Sequence, residues 1–367
     1  MAKNFWRKRM IKVTRITVLL LVLTMAFTNV LFAGGDSEEK EMEAEALPIV
    51  GMATDTGGLG DKSFNDGSYA GIKQAAVDFN LDARVVESKQ QTDYVPNLAG
   101  LAEDGSKVVF AIGFLMADAL LEAAANNPDT AFAGIDIWVD PSSAPKNVQG
   151  LLFKEHESGF VAGVLAGLMT KEYASASDRL NDDNVVGMVL GMDIPPVERF
   201  QAGFYAGVKS VNPDCTVLSV VTGTFVDQAK GKESALAMIE QGADIIFQIA
   251  GLTGLGALNA ADEAGVAGIG VDVDQYGVAP DAIMTSAVKG ITQATYLTTK
   301  AVVDGKFVGG NNRTFGINDG ATGIAPYHNW NNVIPSAVKD AVDAAIEDLK
   351  SGKVVAPASR ADAGYDG

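Results

Sequence analysis

From Leu47 onward the chain alternates short apolar runs with longer stretches of mixed polarity. The runs are "PIVGMA" (48–53), "ARVVES" (83–88), "KVVFAIG" (107–113), "AFAGID" (131–136), "NVQGLLF" (147–153), "VVGMVLG" (185–191), "CTVLSVV" (215–221), "ADIIFQIA" (243–250), "AGIGVDV" (267–273) and "IMTSAV" (283–288). Their length and Val/Ile content predict buried strands. Segments with helical spacing, such as "GSYAGIKQAAVDF" and "GKESALAMIEQG", lie between most of them. Strand and helix alternating at this interval predict an α/β protein with parallel sheets covered by helices on both faces. About ten strands suit two sheets of about five better than one sheet. In "ESGFVAGVLAGLM" (157–169), Gly159, Gly163 and Gly167 form one helical ridge. The flanking Glu155 and Glu157 speak against membrane helix pairing, so close packing of this helix on a sheet is expected.

The first 33 residues break the rhythm. Lys3, Arg7, Lys8, Arg9, Lys12 and Arg15 precede an apolar run from Ile16 to Phe32, which ends at Ala33, Gly34 and Gly35. Basic, then apolar, then small is the layout of an export signal. Retention as a membrane anchor is the alternative, against which Thr24, Thr28 and Asn29 interrupt the run. Position 35, where a lipoprotein signal needs cysteine, is Gly, and Cys215 is the only cysteine. The expectation is an exported protein, periplasmic or associated with the cell envelope, without a lipid anchor and without an internal disulfide. The acidic segment 34–46 reads as a flexible tether.

Removing residues 1–33 lowers Lys+Arg from 28 to 22 against 46 Asp+Glu, a net charge of −24. Such a surface repels nucleic acid, so no nucleic-acid partner is expected. The glycine-rich stretch "DTGGLGDKSFNDG" (55–67) contains neither G-x-G-x-x-G nor G-x-x-x-x-G-K-[ST], and Asp61 would face a phosphate badly. It suits a neutral ligand better. Its glycines turn the chain after the first strand, and Ser63, Asn65 or Asp66 can cap a helix beginning near Gly67. Phe64 stands at the carboxyl end of that strand, where open α/β sheets bind ligands. It either stacks on a ligand ring beside Asp55 and Asn65 or staples the helix start to the core. No G-x-S-x-G, Cys/His pair or metal-ligand cluster points to an enzyme, a metal or a cofactor. His156 and His328 are far apart in sequence, and Arg199 reads as a surface ion pair in preference to a ligand contact.

Seven motifs in order carry a more specific signal: "DTGGLGDKSFNDGSYAG", "AIGFLMADAL", "FKEHESGFVAGVLAGLMT", "GMDIPPVERFQAGFYAGVKSVNP", "GTFVDQAKGKESALAMIEQGADIIFQIAG", "GLGALNAADEAG" and "IGVDVDQY". Together, over about residues 47–330, they resemble the basic membrane protein or PnrA-like family, substrate-binding proteins of ABC transporters that take up purine nucleosides. The resemblance implies a type I periplasmic-binding-protein fold: two doubly wound lobes, joined by a three-stranded hinge, closing on ligand. Lobe 1 would hold 47–152 plus about 289–308, and lobe 2 153–288 plus about 309–355. It further implies that Phe64 stacks on the purine, with Phe225 as partner aromatic and Phe200 as second choice. By the same resemblance Asp55 and Asn65 would bind the base edge, Asp272 would accept from ribose hydroxyls, and Lys289 would donate to the sugar. Gly251 would let backbone approach the sugar. Asp118 is a weaker candidate, since it could simply cap a helix. The implied partner is an ABC permease in the inner membrane, and a monomer is expected. A sugar receptor of the same fold, feeding a permease or a sensor, is the alternative.

Overall fold

A computed structural model describes residues 46–365. The expected export signal (1–33) and nearly all of the expected tether (34–46) lie outside the described residues. Two six-stranded sheets make up the architecture. The first holds β1 (Ile49–Thr54), β2 (Asp82–Glu87), β3 (Ser106–Ile112), β4 (Ala131–Ile135), β5 (Val148–Phe153) and β11 (Asn311–Phe315), in the order β11-β5-β4-β3-β1-β2. The second holds β6 (Val185–Leu190), β7 (Thr216–Val221), β8 (Ala243–Ile249), β9 (Ala267–Asp272), β10 (Ile283–Lys289) and β12 (Thr322–Ile324), in the order β12-β10-β9-β8-β6-β7. All pairings are parallel except that of β10 with β12.

Each of the ten apolar runs is a strand, because each is covered on both faces. In β3, Val108, Phe110 and Ile112 pack into a layer with Ile72 and Ile291. The alternate residues Val109 and Ala111 pack with Leu98 and Leu120 on the other face. The two layers are helices α1 (Phe64–Phe79) with α8 (Ile291–Val303), and α2 (Tyr94–Glu103) with α3 (Ala117–Asn126). The second sheet repeats the plan. α4 (Glu155–Met169) and α5 (Pro195–Val211) pack against each other, as do α6 (Gln228–Ile239) and α7 (Gly251–Glu263). The helix α9 (Ser336–Lys350) also packs on α4.

Two strands escaped the periodicity. The half-exposed edge strand β11, "NNRTF", has only one buried residue, and β12 is three residues long. β11 pairs with β5 of the first sheet, so residues 311–315 belong with that sheet and not with the second lobe, where the sequence reading put 309–355. The chain passes between the sheets three times: at Lys154, at Gly290 and across 316–321. Glu157 ties two of these crossings, accepting from Ile317 N and Thr322 Oγ1, both at 2.7 Å. Phe153 and Phe315 stack beside them at 5.5 Å.

The glycine ridge of α4 meets a helix, not the expected sheet. A Cβ on Gly159, Gly163 or Gly167 would run into the backbone of α5 at Phe200, Phe204 and Val208. Gly203 and Gly207 of α5 are pressed as closely on His156 and Phe160. The spacing in "FQAGFYAG" was the second half of this signal.

Candidate functional site

The carboxyl ends of the strands from both sheets face one another across a cleft. It holds about 650 Å³ free of protein atoms, open solvent at its mouth included, and residues of both sheets line it.

The loop after β1 is organised by its own carboxylates. Asp55 accepts from Gly57 N at 2.9 Å and from Asn65 Nδ2 at 3.2 Å. Asp61 accepts from the backbone N–H of Ser63 (3.0 Å), Asn65 (2.8 Å) and Asp66 (3.1 Å). Asp66 takes Gly60 N and Lys62 N, and Glu87 takes Leu59 N. The donors a phosphate would need are therefore engaged by acidic side chains. Asp61, not Ser63, Asn65 or Asp66, caps the helix, which starts at Phe64, three residues earlier than the sequence suggested. Phe64 and Asn65 thus occupy the first turn of α1 and line the cleft. Asn65 Oδ1 is buried without a protein partner. Burial raises the Asp55 carboxyl to about 6, with Asn65 and Gly57 pulling back.

The second sheet answers with Phe225, which is half-buried and lies against Gly191, where a Cβ would strike its ring. Gly251 opens α7 with φ +55°, a left-handed conformation that favours glycine. It brings the N-terminus of α7 to the cleft wall beside Ala250 and Leu252. Phe200 reaches the wall as well, but it is 2% exposed and packs edge-on to Phe247, as a core residue does.

A charged cluster closes the floor. Lys289 Nζ lies 2.6 Å from Asp136 Oδ2 and 3.0 Å from Glu155 Oε1. It is also 5.1 Å from the Phe64 ring centroid. Glu155 is held in turn by Arg199 Nε at 2.6 Å. Arg199 is therefore ion-paired as expected, though to a fully buried partner and not at the surface. Burial works against the Lys289 ammonium, but Asp136, Glu155 and Asp272 outweigh it and raise its pKa. Burial likewise works against Glu155, yet Lys289 and Arg199 hold its carboxyl below the usual range. Asp272, at the end of β9, accepts from Ser63 Oγ at 2.6 Å, and burial lifts its carboxyl to about 6 against the pull of Lys289.

Of the nine sequence candidates, Asp55, Phe64, Asn65, Phe200, Phe225, Gly251, Asp272 and Lys289 line this one cleft. Asp118 does not. It is exposed in the first turn of α3, where a carboxylate favours the helix dipole. The sequence reading passed over Asp136, a cleft residue just past β4 with φ +64°, and Asp61. Asp136 ends the run "AFAGID" as Asp272 ends "AGIGVD", and that shared position was the available signal. His156 and His328 lie apart, and among the described residues no group of three His, Cys, Asp or Glu side chains is placed to hold a metal. No described helix is long and apolar enough to cross a membrane.

Comparison with known proteins agrees with this geometry. Residues 49–357 match the family model described as Bmp, ABC transporter substrate-binding protein PnrA-like. The chain is 31% identical to the ABC transporter nucleoside-binding protein BmpA of Lactococcus lactis, across 96% of this chain and 99% of the relative. It is 31% identical to basic membrane protein A of Borreliella burgdorferi, across 84% and 86%. Among solved structures, a solute-binding protein of an ABC transporter system from Aeropyrum pernix superimposes with a TM-score of 0.76 at 27% identity, covering 84% of this chain and 94% of that one. The two facing α/β sheets have the periplasmic-binding-protein fold, and the chain belongs to the Bmp family of PnrA-like ABC transporter substrate-binding proteins, which bind and do not catalyse.

Proposed function

We propose that this protein binds a purine nucleoside in the cleft between its two sheets and delivers it to a membrane permease on the extracytoplasmic side. The observation that carries this reading is the composition of the wall. Two aromatic rings, Phe64 and Phe225, come from opposite sheets, with four carboxylates (Asp55, Asp61, Asp136, Asp272) and one lysine around them. A nucleoside has a flat face, an edge of donors and acceptors, and a set of hydroxyls. Stacking on an aromatic is worth about 1–3 kcal/mol per base. Asp55 and Asn65 adjoin the ring of Phe64 and suit the base edge. Asp272, Asp136 and Lys289 suit the sugar, since charged acceptors bind hydroxyls strongly. The name of the Lactococcus relative points the same way. A nucleotide would bring phosphate charge into a cleft whose carboxylates outnumber its one lysine. Phe200 acts here as support for the cleft wall, and Asp118 has no part in it. The lobes divide after β5, after β10 and after β11, and the protein works as a monomer.

Calorimetric titration of the purified protein, stripped of ligand, with adenosine, guanosine, inosine, uridine and ribose tests the reading. Binding of the purine nucleosides, with uridine and ribose much weaker, is expected. Binding of ribose and of no nucleoside overturns it in favour of a sugar receptor.

A further inference from the structure

Two side chains join the lobes directly without facing the ligand space as recognition groups. Gln275, 2% exposed and three residues after Asp272, donates from Nε2 to the carbonyl oxygen of Lys62 at 3.1 Å. Ser63, fully buried, donates from Oγ to Asp272 Oδ2 at 2.6 Å. Lys62 and Ser63 belong to the first sheet's loop and open the helix that carries Phe64 and Asn65. Gln275 and Asp272 belong to the second sheet.

Gln275 is built in from its own side. Its Oε1 accepts from Val271 N at 2.9 Å and from Gln248 Nε2 at 2.6 Å, and its N–H donates to Ser286 Oγ at 3.0 Å. Gly270 leaves the space its side chain fills, since a Cβ there would crowd Gln275. With Oε1 engaged within the second lobe, the amide nitrogen is held toward Lys62. Lys62 in turn has φ +53°, a left-handed conformation unusual for a side-chain residue, and that turn sets its carbonyl. Beyond this contact lies an open groove lined by Lys62, Asp66 and Gly67 of the first lobe and Gln228, Asn259 and Asp274 of the second. The Gln275–Lys62 bond therefore joins the lobes in the wall of that groove.

We infer that Gln275, with Ser63, is a latch that holds the lobes closed over bound ligand and thereby sets the dissociation rate while leaving ligand choice to the cleft. The inference rests on the proposed function only in that a ligand occupies the cleft. A group that acts by stabilising the closed state slows escape and affects every ligand alike, because it touches none of them.

Stopped-flow measurement of association and dissociation rates on the whole protein tests it, with parent, Gln275→Glu and Ser63→Ala. Gln275→Glu keeps an acceptor for Val271 and Gln248 and replaces the donor to Lys62 by a carboxylate oxygen that repels its carbonyl. Dissociation is expected to quicken by at least about 3- to 10-fold, the worth of the lost bond before the added repulsion, with association changed less than about twofold. The factor should be the same for every ligand of the panel. Ser63→Ala should quicken dissociation too, but by a factor that can vary with ligand, because it also takes a donor from Asp272. In Gln275→Glu, unchanged dissociation, a loss confined to association, or a factor that differs from ligand to ligand overturns the latch. A parent that binds no member of the panel defeats the nucleoside reading instead. The latch is then judged by X-ray scattering of the ligand-free proteins, where Gln275→Glu has to enlarge the radius of gyration and an equal radius overturns it.

Discussion

Under the proposed function, Asp272 trades stability for binding. Its left-handed φ of +66° suits Asp or Asn, and its buried carboxyl titrates at about 6 in place of the usual 3.8. The unfolded chain releases this proton near 3.8, whereas the folded protein keeps it to about 6. The folded state thus binds more protons between those values, and this group's contribution to stability falls as pH rises from about 4 to 6. The gap corresponds to roughly 3 kcal/mol. Asp272→Asn is expected to stabilise the ligand-free protein by on the order of 1–3 kcal/mol at pH 7 and by little at pH 3. The same change should weaken nucleoside binding tenfold or more, since one charged acceptor is lost (about 1.5–3 kcal/mol). Denaturant titration at the two pH values and calorimetry measure both effects. Asp55 is raised to about 6 as well, and a ligand that donates to either carboxylate needs it ionised. Affinity in the parent should then be level above about pH 7 and fall below it, by up to about tenfold per pH unit for each carboxylate. A flat profile from pH 4.5 to 7.5 would remove both from the contact set. At this scale the residues named from the family motifs, Asp118 apart, line the cleft. Asp136 was not set apart, because a carboxylate after an apolar run looks the same whether it meets solvent or Lys289.

Elements were legible where burial was symmetrical. The ten runs carry apolar residues on both faces, even β2 and β7 at the sheet edges, so their composition alone marks them. β11 escaped because Arg313 is exposed and Asn312 serves a backbone partner, its Oδ1 accepting from Val139 N at 2.8 Å. The glycine ridge of α4 showed that something approaches closely but not what. Two helices need matching ridges for their backbones to meet, and Gly203 and Gly207 of α5 supply the second one. Gly163→Ala is therefore expected to cost about 2 kcal/mol or more by overpacking. Gly277→Ala, where open space surrounds the position, should change stability by less than about 0.5 kcal/mol. Urea unfolding of the two variants against the parent makes the comparison. Equal losses would show that the α4–α5 contact relaxes freely.

For the whole molecule the decisive property is the sign of charge at the cleft. Lys289 is ion-paired, and Asp55, Asp61 and Asp272 surround the same space. A neutral nucleoside should bind with an affinity that changes less than about twofold between 50 and 500 mM salt, because no counterion is displaced. The corresponding 5′-monophosphate should bind at least about 100-fold more weakly, reflecting the cost of an unpaired buried anion. Calorimetry at the two salt concentrations, with nucleoside and monophosphate side by side, reads both. Tight monophosphate binding would overturn the neutral-ligand reading. Sequence by itself determined the two-sheet α/β plan, since continuous apolar runs for strands and helical spacing between them are written locally. It also marked the loop of Phe64 as unfit for phosphate through its acidity. Tertiary structure alone decided which strand ends share a cleft, that Asp61 caps the helix presenting Phe64, and that Lys289 is shared by Asp136 and Glu155. Those contacts join residues up to 153 positions apart, and no local pattern encodes a distance that only folding brings to bonding range.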